Sequence, residues 1–146
     1  MTAVHIALGV ATVVVNLVAG LYGSWAWWSG RPAPGFWAIL RAGQLLVVLE
    51  AALGGVLLLT GKPLPRLHLI YGLVPLGVAF VAEQLRLVSA QTELDRRGLA
   101  GREAVAALSE DDRVGLVRAI VRREVGVMAA SALVVALLGV RASGWL

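Results

Sequence analysis

Four apolar stretches, each close to the roughly 20 residues that a bilayer core demands of a helix, dominate this chain: about residues 4–28, 36–60, 67–90 and 125–140. A backbone in hydrocarbon must pair its own N–H and C=O groups, so segments of this length cross as helices. The expected fold class is all-α: a four-span transmembrane helix bundle forming one membrane domain over residues 1–146. A charged segment, 91–124, separates the third span from the fourth. Hydrophobic residues make up 59% of the sequence and charged ones 15%, a balance that excludes an ordinary soluble domain. The first stretch has no basic residue ahead of it and exceeds the apolar length of a cleavable leader, so it is expected to stay in the chain.

The arginines supply a direction. Positively charged flanks resist translocation. Of the 13 Lys and Arg residues, all but Lys62, Arg66 and Arg141 fall on the side of Arg31 and the 91–124 segment. That predicts both termini outside, in a bacterial inner membrane. Trp25, Trp27, Trp28 and Trp37 then form an aromatic belt at the inner interface, and Trp145 marks the outer one. The net charge of +4 is an orientation signal, and no nucleic acid is needed to explain it.

Residues 30–35 and 61–66 are short turns punctuated by Gly and Pro, so the first three helices are expected to be antiparallel neighbours. Ser109 followed by Asp112 has the spacing of a helix N-cap with acids in the first turn. No breaker follows until Gly126, so the fourth helix is expected to begin in the cytoplasm. Arginines and acids balance between 91 and 124, which suits a solvated helix face or, alternatively, a docking surface.

Polar groups inside hydrocarbon are costly and often functional. His5 opens the first helix and His68 the third, which puts the 2 histidines of the chain on one side at matching depth. Each has a glycine one turn deeper, Gly9 and Gly72. A porphyrin standing between two helices takes an axial imidazole from each, and a side chain at i+4 on that face would collide with the ring. The pattern suits a bis-histidine haem in the outer leaflet; the plainer alternative is two interfacial histidines bonded to water or headgroups. Gly54 and Gly55 offer room for a flat cofactor or a surface for close helix packing. Tyr71 can meet a propionate or anchor at the interface, and Lys62 and Arg66 are the nearest cations for propionates. Glu50 and Asn16, both counted at on the order of 15 Å below the outer face, are expected to partner each other with Glu50 held protonated, as a proton-relay or cofactor-edge carboxyl or as a neutral acid that fixes helix packing. Arg41 and Glu83 are expected to form a structural ion pair near the inner interface, and Pro75 to bend the third helix.

The absence of cysteine removes disulfides, thiolate metal sites, iron–sulfur clusters and covalent haem attachment. There is no Gly-rich phosphate loop, Ser-His-Asp arrangement or His-Glu-x-x-His motif. No catalytic residue is therefore assigned, and enzyme activity by the chain alone has no support in the sequence.

The run QLLVVLEAALGGVLLLTGKPLPRLH extends from Gln44 to His68, with Gly54-Gly55, Thr60-Gly61 and Pro63 between them. It resembles the third-to-fourth helix passage of one half of haem A synthase, where a glutamine, a Leu-Gly-Gly step, a Thr/Ser-Gly turn with proline and a ligand histidine follow in that order. His5-x-x-x-Gly9, with the inner turn at Gly30-Arg31-Pro32, is similar to that family's second helix. The resemblance spans about residues 5–86. It implies a four-helix half-bundle that holds haem between paired histidines in the outer leaflet, and it carries over to His5 and His68 alone. Ile6 stands where the family has arginine, and its extracellular carboxylate and cysteine pair and its second four-helix half have no counterpart. What is implied is a haem-holding half-bundle, without the synthase chemistry.

The expected function is an integral membrane protein that binds haem b, with His5 and His68 as iron ligands and Gly9, Gly54, Gly55, Gly72, Tyr71, Arg66 and Lys62 around the ring. Electron transfer or haem handling is its expected work, and its partners the lipid bilayer and a membrane redox partner or a second copy. The alternative is a cofactor-free subunit or scaffold of a larger membrane complex.

Overall fold

The computed structural model describes residues 2–61 and 66–144, and no strand occurs among the described residues. Its helices are α1 (Thr2–Ser29), α2 (Phe36–Leu59), α3 (Arg66–Arg96), α4 (Gly101–Ala106) and α5 (Glu110–Ala142). All but α4 are long and apolar enough to cross a membrane. Helix α3 continues through Pro75 to Arg96, well into the charged segment. Helix α5 starts at Glu110 because Ser109 caps it: the Asp112 N–H donates to Ser109 Oγ at 3.2 Å, and three acids occupy the first turn, at the positive end of the helix dipole.

Helix α5, with 33 residues, is roughly 50 Å long, against roughly 36 Å for the 24 residues of α2 at about 1.5 Å per residue. Trp27, near the end of α1, lies against Gly126, so the first turns of α5 extend beyond α1 alongside the end of α3. There Arg97 of the following turn reaches the Gly115 carbonyl at 3.5 Å.

Helix α5 is the centre of the packing, with α1 on one side and α3 on the other; α2 packs on α1 and touches α3 only lightly. The approach of α1 to α5 is close because glycine stands at four crossing points. Gly20 faces Leu133, Gly23 faces Ala129, Gly126 faces the Trp27 ring and Gly139 faces Val13. A Cβ on Gly20 would lie 2.5 Å from Leu133 Cδ2, and one on Gly23 would lie 2.8 Å from Ala129 Cβ with the Phe36 ring nearer still. Small residues let backbones meet in a solvent that gives helices no hydrophobic reason to associate. Ala19, Phe36, Leu40, Met128, Ala129 and Ala132 fill the core around this seam. Outward faces carry Ile6, Leu21, Leu45, Leu59, Leu69 and Leu137, all exposed.

The register of α1 against α2 follows from the turn between them. Gly30 and Gly35 both have positive φ, 65° and 80°, a conformation open to glycine without Cβ strain. Tyr22 Oη donates to the Pro34 carbonyl at 2.9 Å. From that fixed point Phe36 sits opposite Gly23, Asn16 opposite Gly43 and Glu50 opposite Gly9. The two helices thus keep step, one heptad forward for one heptad back, and each contact sets a larger side chain against a glycine.

Near the tryptophan end, four polar side chains converge. Glu83 of α3 pairs with Arg41, accepts from Gln44 Nε2 at 2.9 Å and accepts from Arg86 Nε at 2.9 Å. Arg86 also lies 3.9 Å from Glu124 of α5 and 5.6 Å from the centre of the Trp37 ring. The ion pair expected of Arg41 and Glu83 is present, inside a larger cluster that ties α2 to α3.

Two measurements check this packing. Gly23→Ala should destabilise the detergent-purified protein by about 1–3 kcal/mol through overpacking. Gly55→Ala, where a Cβ meets nothing within 4 Å, should leave the unfolding temperature unchanged; equal effects would contradict the seam. Glu83→Ala removes the shared acceptor of Arg41, Gln44 and Arg86 and should cost about 1–3 kcal/mol. Its effect should exceed that of Arg41→Ala, which leaves the carboxylate still bonded to Gln44 and Arg86.

Candidate histidine site

At the bundle end opposite the tryptophans, four helices bring together a small set of polar groups. His5, in the first turns of α1, places Nδ1 2.7 Å from Glu50 Oε2 of α2. The His68 ring, in the first turn of α3, stands 5.8 Å from the His5 ring between centroids, with the planes at 73°. His68 Nδ1 lies 3.1 Å from the carbonyl oxygen of Ala142, the last residue of α5. The side chains of His5 and Glu50 are only 22% and 16% exposed, so each polar group depends on the others for solvation.

The contact with Ala142 assigns the imidazole hydrogen of His68. A carbonyl oxygen only accepts, so His68 Nδ1 carries the hydrogen, and the lone pair of the neutral ring lies on Nε2. Nε2 of neither ring has a hydrogen-bond partner among the described residues. The approach of His5 to Glu50 is close but out of line, so His5 Nδ1 and Glu50 Oε1 are both buried without a completed hydrogen bond. Among the described residues no other buried side-chain polar atom is left so. In folded proteins buried polar groups are nearly always paired, and an exception calls for an explanation.

The other residues singled out from the sequence lie around this end, in differing relations to it. A Cβ on Gly9 would sit 3.7 Å from Glu50 Oε1, so the room that Gly9 leaves borders the carboxylate. Gly54, Gly55 and Gly72 face open space. Tyr71 lies under a guanidinium, but that of Arg141, at 5.5 Å from the ring centroid. Arg66 is exposed at the start of α3. Lys62 and Trp145 lie outside the described residues.

One expectation is overturned. Glu50 does not meet Asn16: Asn16 donates from Nδ2 to the Thr12 carbonyl at 2.9 Å and packs on Gly43, whereas Glu50 faces Gly9 and His5. The error came from counting depth from helix ends. Counting from the 30–35 turn, where Phe36 meets Gly23, pairs Glu50 with the first turns of α1. The Ala142 carbonyl had no signal of its own, because a backbone acceptor is not written in residue type.

Among the described residues, no group of three or more His, Asp or Glu side chains could hold a metal ion. Chemically, the arrangement offers two nitrogen donors on different helices, one backed by a carboxylate and the other by a carbonyl. No protein-family model, curated protein or solved structure matches this chain.

Proposed function

We propose that this chain is a multi-pass protein of a bacterial inner membrane that holds one b-type haem between His5 and His68, for electron transfer or haem handling. The facing pair of imidazoles carries this reading, each with Nδ1 against an acceptor and Nε2 left over. Metal-bound histidines commonly present the second ring nitrogen to a carboxylate or a backbone carbonyl, which fixes tautomer and orientation. Here there is one of each. The two rings stand 5.8 Å apart between centroids, and His5 and His68 would be the residues that hold the haem iron.

Two side-chain ligands are too few for a bare ion but are what a metal inside a macrocycle takes at its axial positions. The open space beside Gly54, Gly55 and Gly72 is in keeping with a flat ring against the helices. The resemblance to one half of haem A synthase supports the same ligands. Arg66, Arg141 and Tyr71 are side chains of the kind that meet propionates. When bound by His5 and His68, the haem would supply a one-electron couple, which suits electron transfer. The chain's own part is to fix the two imidazoles and exclude water.

The bilayer is one partner, and a membrane redox protein or a second copy another. A cofactor-free subunit of a larger complex is the second reading, favoured by exposed Val114, Val117 and Val121 on the part of α5 that projects beyond α1.

The spectrum of detergent-purified protein decides between them. A Soret band with sharp reduced bands is expected, and His5→Ala and His68→Ala should each abolish the six-coordinate spectrum. A colourless, folded preparation from haem-sufficient cells would overturn the haem reading and favour the subunit. The arginine distribution supports both termini outside. Ser143→Cys should accordingly react with an impermeant maleimide on intact spheroplasts and Ser109→Cys only after permeabilisation; the reverse pattern would invert the topology.

A further inference from the structure

We propose that a groove between α3 and α5 holds one anionic phospholipid of the leaflet on the tryptophan side, with an acyl chain in the groove and the phosphate on Arg123. The proposal does not depend on the haem reading. Val74, Val81 and Leu85 of α3 and Val127, Ala130 and Val134 of α5 line the groove, whose volume is about 650 Å³. Ser131 also lines it, but its hydroxyl donates to the Met128 carbonyl at 2.8 Å, so the walls are apolar. From Val74 to Leu85 the groove extends roughly 16 Å at about 1.5 Å per residue, and half of a hydrocarbon core is about 15 Å. It ends at the aromatic level, because Arg86, next to Leu85, reaches Glu124 and the Trp37 ring. A transmembrane helix of a second copy would run the full thickness of the core, whereas this groove has the length of one acyl chain's leaflet.

Charge at the mouth of the groove selects the headgroup. Arg123 shares one face of α5 with Val127, Ala130 and Val134, at i, i+4, i+7 and i+11. It lies three residues before Gly126, which packs on the Trp27 ring, and so roughly 5 Å beyond the tryptophan level, within the headgroup layer. Helical side chains lean towards the helix N-terminus, which for Arg123 is away from the groove and towards the headgroups. Among the described residues Arg123 has no hydrogen bond, ion pair or ring contact. The carboxylates at its level are engaged, Glu124 with Arg86 and Glu83 with Arg41, Gln44 and Arg86. The acids in the first turn of α5 lie roughly 18 Å farther from the membrane. A guanidinium left in this way presents the planar fork that binds phosphate, and a net negative headgroup suits it better than a zwitterion.

The test measures lipid binding to the detergent-purified protein by native mass spectrometry, with phosphatidylglycerol and phosphatidylcholine as probes. Wild type should hold one phosphatidylglycerol about fivefold more tightly than phosphatidylcholine, the discrimination that one arginine gives beside an anionic headgroup. Arg123→Gln should bind the two lipids equally. Gly77 also lines the groove, and a Cβ there meets nothing within 4 Å. Gly77→Leu should therefore fill the groove without disturbing the helices, weakening both lipids at least tenfold at an unchanged unfolding temperature. Equal binding of the two lipids by wild type overturns the proposal, as does a wild-type preference in Arg123→Gln or wild-type binding in Gly77→Leu. A dimer that Gly77→Leu disrupts would put a second copy in the groove and overturn it too. Should Gly77→Leu fail to fold, Arg123→Gln decides alone. The haem spectrum is a separate readout, and either result there leaves this test standing.

Discussion

The architecture depends on the closeness of α1 to α5. In a soluble protein, helices are driven together by what they hide from water, but inside a bilayer an apolar face loses nothing by staying in lipid. What remains is surface complementarity, and here glycines at 20, 23, 126 and 139 let the two backbones meet. Because α3 lies along the other side of α5, the helix that receives α1 also sets how far α3 stands from it. The separation of the His5 and His68 rings is thus governed by a seam most of which lies far from either histidine.

Helix α2 plays a different part. It has polar groups at two levels, Arg41 and Gln44 reaching Glu83 on α3 and Glu50 reaching His5 on α1. Towards the histidine end, Gly54 and Gly55 of α2 and Gly72 of α3 face open space. The helix is held at the tryptophan end by charge and along α1 by the heptad-spaced contacts of Phe36, Gly43 and Glu50.

Much of this was legible in the chain before any coordinates. The four spans stood out because hydrocarbon tolerates only long apolar helices, and the Ser109 cap because its spacing to Asp112 has one local meaning. The Arg41–Glu83 pair was legible because two opposite charges at one depth have few other partners. The Glu50 pairing was misread, since depth counted from helix ends ignores how a glycine turn sets register. The glycine seam of α1 and α5 was not anticipated, because helices so far apart in sequence leave no local pattern of their contact. The Ala142 acceptor was invisible for a simpler reason: every residue carries the same carbonyl.

That carbonyl gives the molecule an order of events. Chains are made from the N-terminus, and Ala142 closes α5, the last of the described helices. Until then His68 lacks its acceptor, the glycine face of α1 has only lipid against it, and Glu50 and His5 have no fixed neighbour on the far side. A chain that lacks α5 therefore carries both histidines without the acceptor of His68, and leaves that ring's Nδ1 and the glycine face of α1 without the partners they have here.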